Sequence, residues 1–140
     1  MMKNPNPLML LRIAQADAFC MATEYIKLPE HQAVQDAAKE LNRYVKHPSY
    51  HKLDAGMYTD DTQMSIAVAE QLIKFLSGRV TTDGLSYADA FMKAFLRDPR
   101  DGYSRGFQAL LEECSTGAEL VSKLRPNSTK NGAAMRSVPL

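Results

Sequence analysis

Apolar residues recur along this chain every three or four positions, the spacing that lines one face of an α-helix. The first helix is predicted to follow Asn6-Pro7, with Pro7 tolerated in its first turn. Leu8, Leu11, Ala14, Ala18 and Met21 share its apolar face, flanked by Arg12 and Gln15. The second runs roughly from Glu30 to Lys46, burying Val34, Ala38, Leu41 and Val45, until Pro48 breaks the hydrogen-bond ladder. A polar loop from Ser49 to Met57 leads to the clearest element, which starts near Thr59 or Asp60. Its stripe is Met64, Ala67, Val68, Leu72, Phe75 and Leu76, with Gly78 as C-cap. Asp83 or Ser86 caps a fourth helix that turns Ala88, Phe91, Met92 and Phe95 inward. Asp98-Pro99-Arg100-Asp101-Gly102 reads as a turn, and short helices follow at about 104–114 and 116–124. No segment alternates as a strand would. The pattern predicts an all-α protein with short connections, and it contains no internal repeat.

At 140 residues and 15.6 kDa the chain fits a single domain, 1–140, able to bury a core. Seventeen basic and sixteen acidic side chains leave a net charge of +1. That balance carries no electrostatic signature of nucleic acid or of an anionic membrane as partner. No run approaches the ~20 apolar residues that span a bilayer. Leu8-Met9-Leu10-Leu11 is too short for the core of a signal peptide, so a cytoplasmic protein without membrane segments is expected. Cys20 and Cys114 are read as small buried hydrophobes and not as a disulfide or zinc pair. His31, His47 and His51 lack metal-ligand spacing and are read as surface residues.

Three groups of residues carry candidate chemistry. Thr59-Asp60-Asp61 places a hydroxyl and two carboxylates where a helix begins. Two readings of this cluster stand side by side. It is an N-cap with acids favourable to the helix dipole, or it is part of an oxygen-rich site for a hard divalent cation. Asp17 and Glu24 lie seven residues apart, on nearly one face if the helix stays regular. Either both reach one cavity, or each faces solvent or a neighbouring loop. Asn131-Gly132-Ala133-Ala134 is a small-residue loop entering a short helix, either a simple turn or a backbone cradle for phosphate.

In this order the three groups resemble motifs of the ADP-ribosylglycohydrolase family, which includes the dinitrogenase reductase-activating glycohydrolases. Arg12 through Glu24 is similar to the family's opening helix, with its Gly-Asp-Ala-hydrophobic-Gly pattern and following glutamate. Tyr58-Thr59-Asp60-Asp61-Thr62-Gln63-Met64 resembles the metal-binding motif, and Asn131-Gly132-Ala133-Ala134-Met135-Arg136 the phosphate-binding loop with its arginine.

The resemblance implies a partial, orthogonally packed helical domain that uses two Mg²⁺ (or Mn²⁺) ions to cleave ADP-ribose from an acceptor. Thr59, Asp60 and Asp61 would be metal ligands. Glu24 would be a catalytic acid/base or positioning group, and Asn131, Gly132 and Ala133 would hold a phosphate of ADP-ribose. Ala16 and Cys20 stand where the family usually has glycines, which is expected to crowd the cavity or alter packing. The resemblance spans only the N-terminal half of the family's domain, and no Asp-x-Asp-Thr follows the loop in this sequence. Two functions follow as expectations: a truncated hydrolase that removes or recognises ADP-ribose on a protein, or a non-catalytic module binding ADP-ribose or a protein. Either is expected to expose apolar surface for a protein partner or a homo-oligomer.

Overall fold

The computed structural model describes residues 6, 8–26, 32, 36, 39, 43–125, 127 and 131–139. Among these residues every regular element is helical, in keeping with the all-α periodicity. Helix α1 (Met9–Cys20) continues into a 3₁₀ turn, Met21–Thr23. Helices α2 (Asp60–Leu76) and α3 (Gly84–Arg97) form the centre, followed by α4 (Arg105–Glu113), α5 (Gly117–Lys123) and the short α6 (Gly132–Met135). None of the described helices is long and apolar enough to cross a membrane.

The core lies where α2 and α3 meet α4 and α5. Met64 from α2 packs with Ala88, Met92 and Phe95 of α3, Tyr103, Leu111, Cys114 and Leu120. A second contact of small residues, Ala67 against Ala90 and Ala94, lets the backbones of α2 and α3 approach closely. Helix α5 comes closer still to α3. A Cβ on Gly117 would lie 2.8 Å from the Ala88 carbonyl carbon, and the Gly117 amide donates to Asp89 Oδ1 at 2.8 Å.

The boundaries have local causes. Gly78, at φ +67°, ends α2 with the paired turn bonds of a left-handed stop: its amide donates to Phe75 O and the Arg79 amide to Lys74 O. Asp83 and Ser86 cap α3 reciprocally. Asp83 Oδ1 accepts from the Ser86 amide at 2.7 Å, and Ser86 Oγ accepts from the Asp83 amide at 3.0 Å. Thr116 caps α5 by accepting from the Glu119 amide.

Several expectations need correction. Most of the predicted second helix lies outside the described residues; Gln32, Asp36 and Lys39 are helical, but residues 43–47 are not, so the helix ends before Pro48 can stop it. Leu8, Leu11, Phe75 and Leu76, read as core-facing, are exposed. Periodicity identifies an apolar face without identifying what covers it. Cys114 is buried as expected, whereas Cys20 is exposed. Ala16 is exposed as well, so among the described residues neither replacement for glycine crowds a cavity.

Candidate functional site

The start of α2 is organised by a residue far from it in sequence. Thr59 occupies the N-cap position with extended backbone, yet its own side chain makes no capping bond. Asp17, buried in α1, supplies the acceptor instead. Its Oδ2 receives the amides of Thr59 (2.9 Å) and Thr62 (3.1 Å). The hydroxyls of Thr59 and Thr62 donate to the same carboxylate at 2.7 and 2.6 Å. Four donors therefore converge on one carboxylate, which is how a buried charge becomes tolerable. The simple cap reading of Thr59 is replaced: α1 caps α2 across 42 residues.

Gln63, inside the same motif, ties this helix start to the far side of the core. Its amide nitrogen donates to the carbonyls of Ala94 and Asp98, and its oxygen accepts from the Tyr103 hydroxyl at 2.7 Å. Gly102 then lies directly against Thr59 and Asp60. It has φ +111°, and a Cβ there would run into Asp60 Oδ1 and come within 2.9 Å of Thr59 Cβ. The turn at 98–102 was legible in the sequence, but its contact with Asp60 was not.

Glu24 arrives by a different route from the one periodicity implied. Helix α1 ends at Cys20, and Glu24 has extended backbone beyond the 3₁₀ turn, so it does not continue the face of Asp17. Two residues of the following loop hold it. Tyr50 donates to Glu24 Oε2 at 3.0 Å. His47 is buried, which corrects its reading as a surface residue. The Ser49 amide donates to His47 Nδ1 at 3.0 Å, so Nε2 carries the hydrogen and donates to the Glu24 carbonyl at 2.8 Å. The His47 and Tyr50 rings stack with centroids 3.8 Å apart. A lone histidine and tyrosine in a polar loop offered no sequence signal for this clamp.

These pieces border one cavity of about 350 Å³. Glu24, Asp60 and Asp61 contribute its acidic side, and Asn131, Gly132, Ala133 and Arg136 line it as well. Met64, Tyr103, Phe107, Leu124 and Met135 supply apolar wall. Thr59 lies beneath this surface, wholly buried. The structure thus brings together Glu24, the acidic pair and the 131–133 loop, which are scattered over more than a hundred positions. Arg136 folds back over its own short helix, donating from Nε to the Gly132 carbonyl at 2.6 Å, with its guanidinium 5.0 Å from the Phe91 ring centroid.

The electrostatics follow from crowding. Burial, then the charges of Asp61, Glu24 and Asp17, push the Asp60 carboxyl up to about 7. Burial raises Glu24 and Asp61 too, with neighbouring carboxylates adding to both. Burial and the Glu24 charge raise Tyr50, which keeps its hydroxyl a donor to Glu24. Among the described residues no side chain donates to the Asp60 or Asp61 carboxylates. Hard oxygens under mutual repulsion suit a divalent cation. Their number is small, however: no three His, Cys, Asp or Glu side chains among the described residues form a metal-holding group. Water or other groups would have to complete any coordination sphere.

A protein-family model described as ADP-ribosylglycohydrolase matches residues 9–140. The chain belongs to the ADP-ribosylglycohydrolase family. No curated protein and no solved structure matches it. The family membership agrees with the helical architecture, and the match covers Glu24, the acidic pair and the 131–136 loop that border the cavity.

Proposed function

We propose that this ADP-ribosylglycohydrolase-family chain binds ADP-ribose carried by a protein and contributes to its hydrolytic release in a reaction dependent on Mg²⁺ or Mn²⁺. One observation carries the reading: Glu24, Asp60, Asp61 and the 131–133 loop border a single cavity. Thr59, Asp60 and Asp61 are the cation ligands in this proposal. The hydrogen of the Thr59 hydroxyl is committed to Asp17, which leaves the oxygen its acceptor capacity. A bound divalent ion supplies polarisation of a ribose hydroxyl and offsets the repulsion among the carboxylates.

The remaining roles belong to the protein's own groups. Asn131, Gly132 and Ala133 receive a phosphate of ADP-ribose, because the first amides of a helix lack internal acceptors and small side chains leave them accessible. Arg136 adds positive charge on the same wall. Glu24 stands beside the ribose bond that breaks. Burial keeps its proton to higher pH than an ordinary carboxylate, which suits a group that exchanges a proton with the leaving acceptor or the incoming water. Tyr50 fixes one of its oxygens and leaves the other for the substrate.

A second reading, binding of ADP-ribose or a protein without turnover, draws support from the small donor count around the acidic pair. Exposed Leu11, Ile73, Phe75 and Leu76 favour a protein partner or a second copy under either reading. The deciding experiment incubates the purified chain with Mg²⁺ and an ADP-ribosylated arginine peptide. Release of ADP-ribose that is abolished in the Asp60→Ala, Asp61→Ala variant supports hydrolysis. A stable complex that forms in EDTA, with no release, removes the hydrolytic reading.

A further inference from the structure

Tyr25 is the conspicuous residue at this site, and neither the acidic motif nor the phosphate loop accounts for it. It follows Glu24 directly and lines the same cavity. Its backbone has φ +53°, the sole non-glycine in the left-handed region among the described residues. That conformation is uncommon for a bulky side chain and strains the backbone. The conformation closes the turn in which the Ile26 amide donates to the Thr23 carbonyl, a position that glycine usually fills, while the Tyr25 side chain itself is 81% exposed. A large aromatic group is thus turned outward at the cavity rim at a cost to the fold. Glu24, one residue inward, is half-buried and clamped by Tyr50 and His47.

We infer that Tyr25 is the contact for the acceptor side of the substrate, the protein segment that bears ADP-ribose, and so a specificity-determining residue. The inference rests on the proposed ADP-ribose reading of the cavity. With Glu24 beside the ribose bond and the 131–133 loop taking phosphate, ADP-ribose occupies the interior. An acceptor side chain leaving the cavity past Glu24 is then within reach of Tyr25, which lines the same cavity and is exposed to solvent. An exposed phenol offers a flat apolar face and a polar tip to a peptide, at low entropic cost because it has only two side-chain torsions.

The test compares two ligands on full-length protein carrying Glu24→Gln, which holds the substrate unturned, in Mg²⁺. Free ADP-ribose is one. The other is the better bound of two ADP-ribosylated peptides, one linked through arginine and one through serine. Calorimetric titration is expected to show Tyr25→Gly weakening the peptide about tenfold while free ADP-ribose stays within about twofold. Tyr25→Phe is expected to keep most of the peptide affinity. Glycine accepts φ +53° without strain, so the melting temperature of Tyr25→Gly is expected to hold or rise. Loss of stability, or equal weakening of both ligands, marks Tyr25 as structural and overturns the proposal. Unchanged peptide binding overturns it too, while leaving the ADP-ribose reading intact. Failure of the Tyr25-containing protein to bind either ligand removes that reading and this inference together.

Discussion

The two ends of α2 reverse each other's chemistry. At its start Asp60, Thr62, Gln63 and Ser65 are buried, although all are polar. At its finish Ile73, Phe75 and Leu76 are exposed, although all are apolar. A helix selected for stability alone would have the opposite arrangement, since burying apolar area is the main favourable contribution to folding. The buried end works because partners meet its polar groups: Asp17 collects four donors, and Gln63 finds two carbonyls and a hydroxyl. The Asp60 and Asp61 carboxylates receive no such partner from the described side chains, and they face the cavity. The contrast separates polar groups that build the fold from carboxylates left open to the cavity.

The sharpest way to break this contrast is Asp17→Ala. It leaves two amides and two hydroxyls without their acceptor, and the expected loss is about 3 kcal/mol or more in urea denaturation. A loss below about 1 kcal/mol would mean that water replaces the carboxylate and that α2 does not depend on α1 for its cap. Gly102→Ala comes next. The added Cβ meets Asp60 Oδ1 and sits at φ +111°, so about 1–3 kcal/mol is expected from crowding and strain. Its effect on Mg²⁺ affinity should exceed its effect on the fold, because the carboxylate moves first.

Proton dependence sharpens the comparison further. The Asp60 carboxyl is raised from 3.8 to about 7, with Glu24 and Asp61 raised alongside it. Between those values the folded protein binds more protons than the unfolded chain. Stability without metal should therefore fall as pH rises from about 4 to about 7. Millimolar Mg²⁺ should flatten that slope, as scanning calorimetry would reveal; a slope of the opposite sign would contradict the crowded-carboxylate picture. The smallest effect belongs to the far end. Ile73→Gln is expected to change stability by no more than about 0.5 kcal/mol. A larger loss would mean that the exposed apolar residues are covered in solution.

How much of this was legible depended on distance along the chain. The stop at Gly78, a cap at Asp83 or Ser86 and the inward face of α3 rest on near neighbours in the chain, and each was predicted from the sequence. The Thr59-Asp60-Asp61 cluster was legible as chemistry, though its double meaning, cap or metal site, was not resolvable locally. The actual cap is Asp17, 42 residues away. The clamp on Glu24 spans 23 and 26 residues and uses a histidine and a tyrosine with no motif of their own. Periodicity failed at Leu8, Leu11 and Phe75 for a related reason. It reports that a face is apolar and is silent on whether another surface meets it.

The long reach of Asp17 also sets an order of events. The first turn of α2 acquires its acceptor only when α1 has docked, which requires closing a loop of some forty residues. Until then the acidic pair belongs to a fraying helix end with no fixed geometry. Any ligand that needs Asp60 and Asp61 in register therefore favours the docked state, and its affinity is drawn on to hold α1 in place. Hydrogen exchange at the Thr59 and Thr62 amides reports that docking directly.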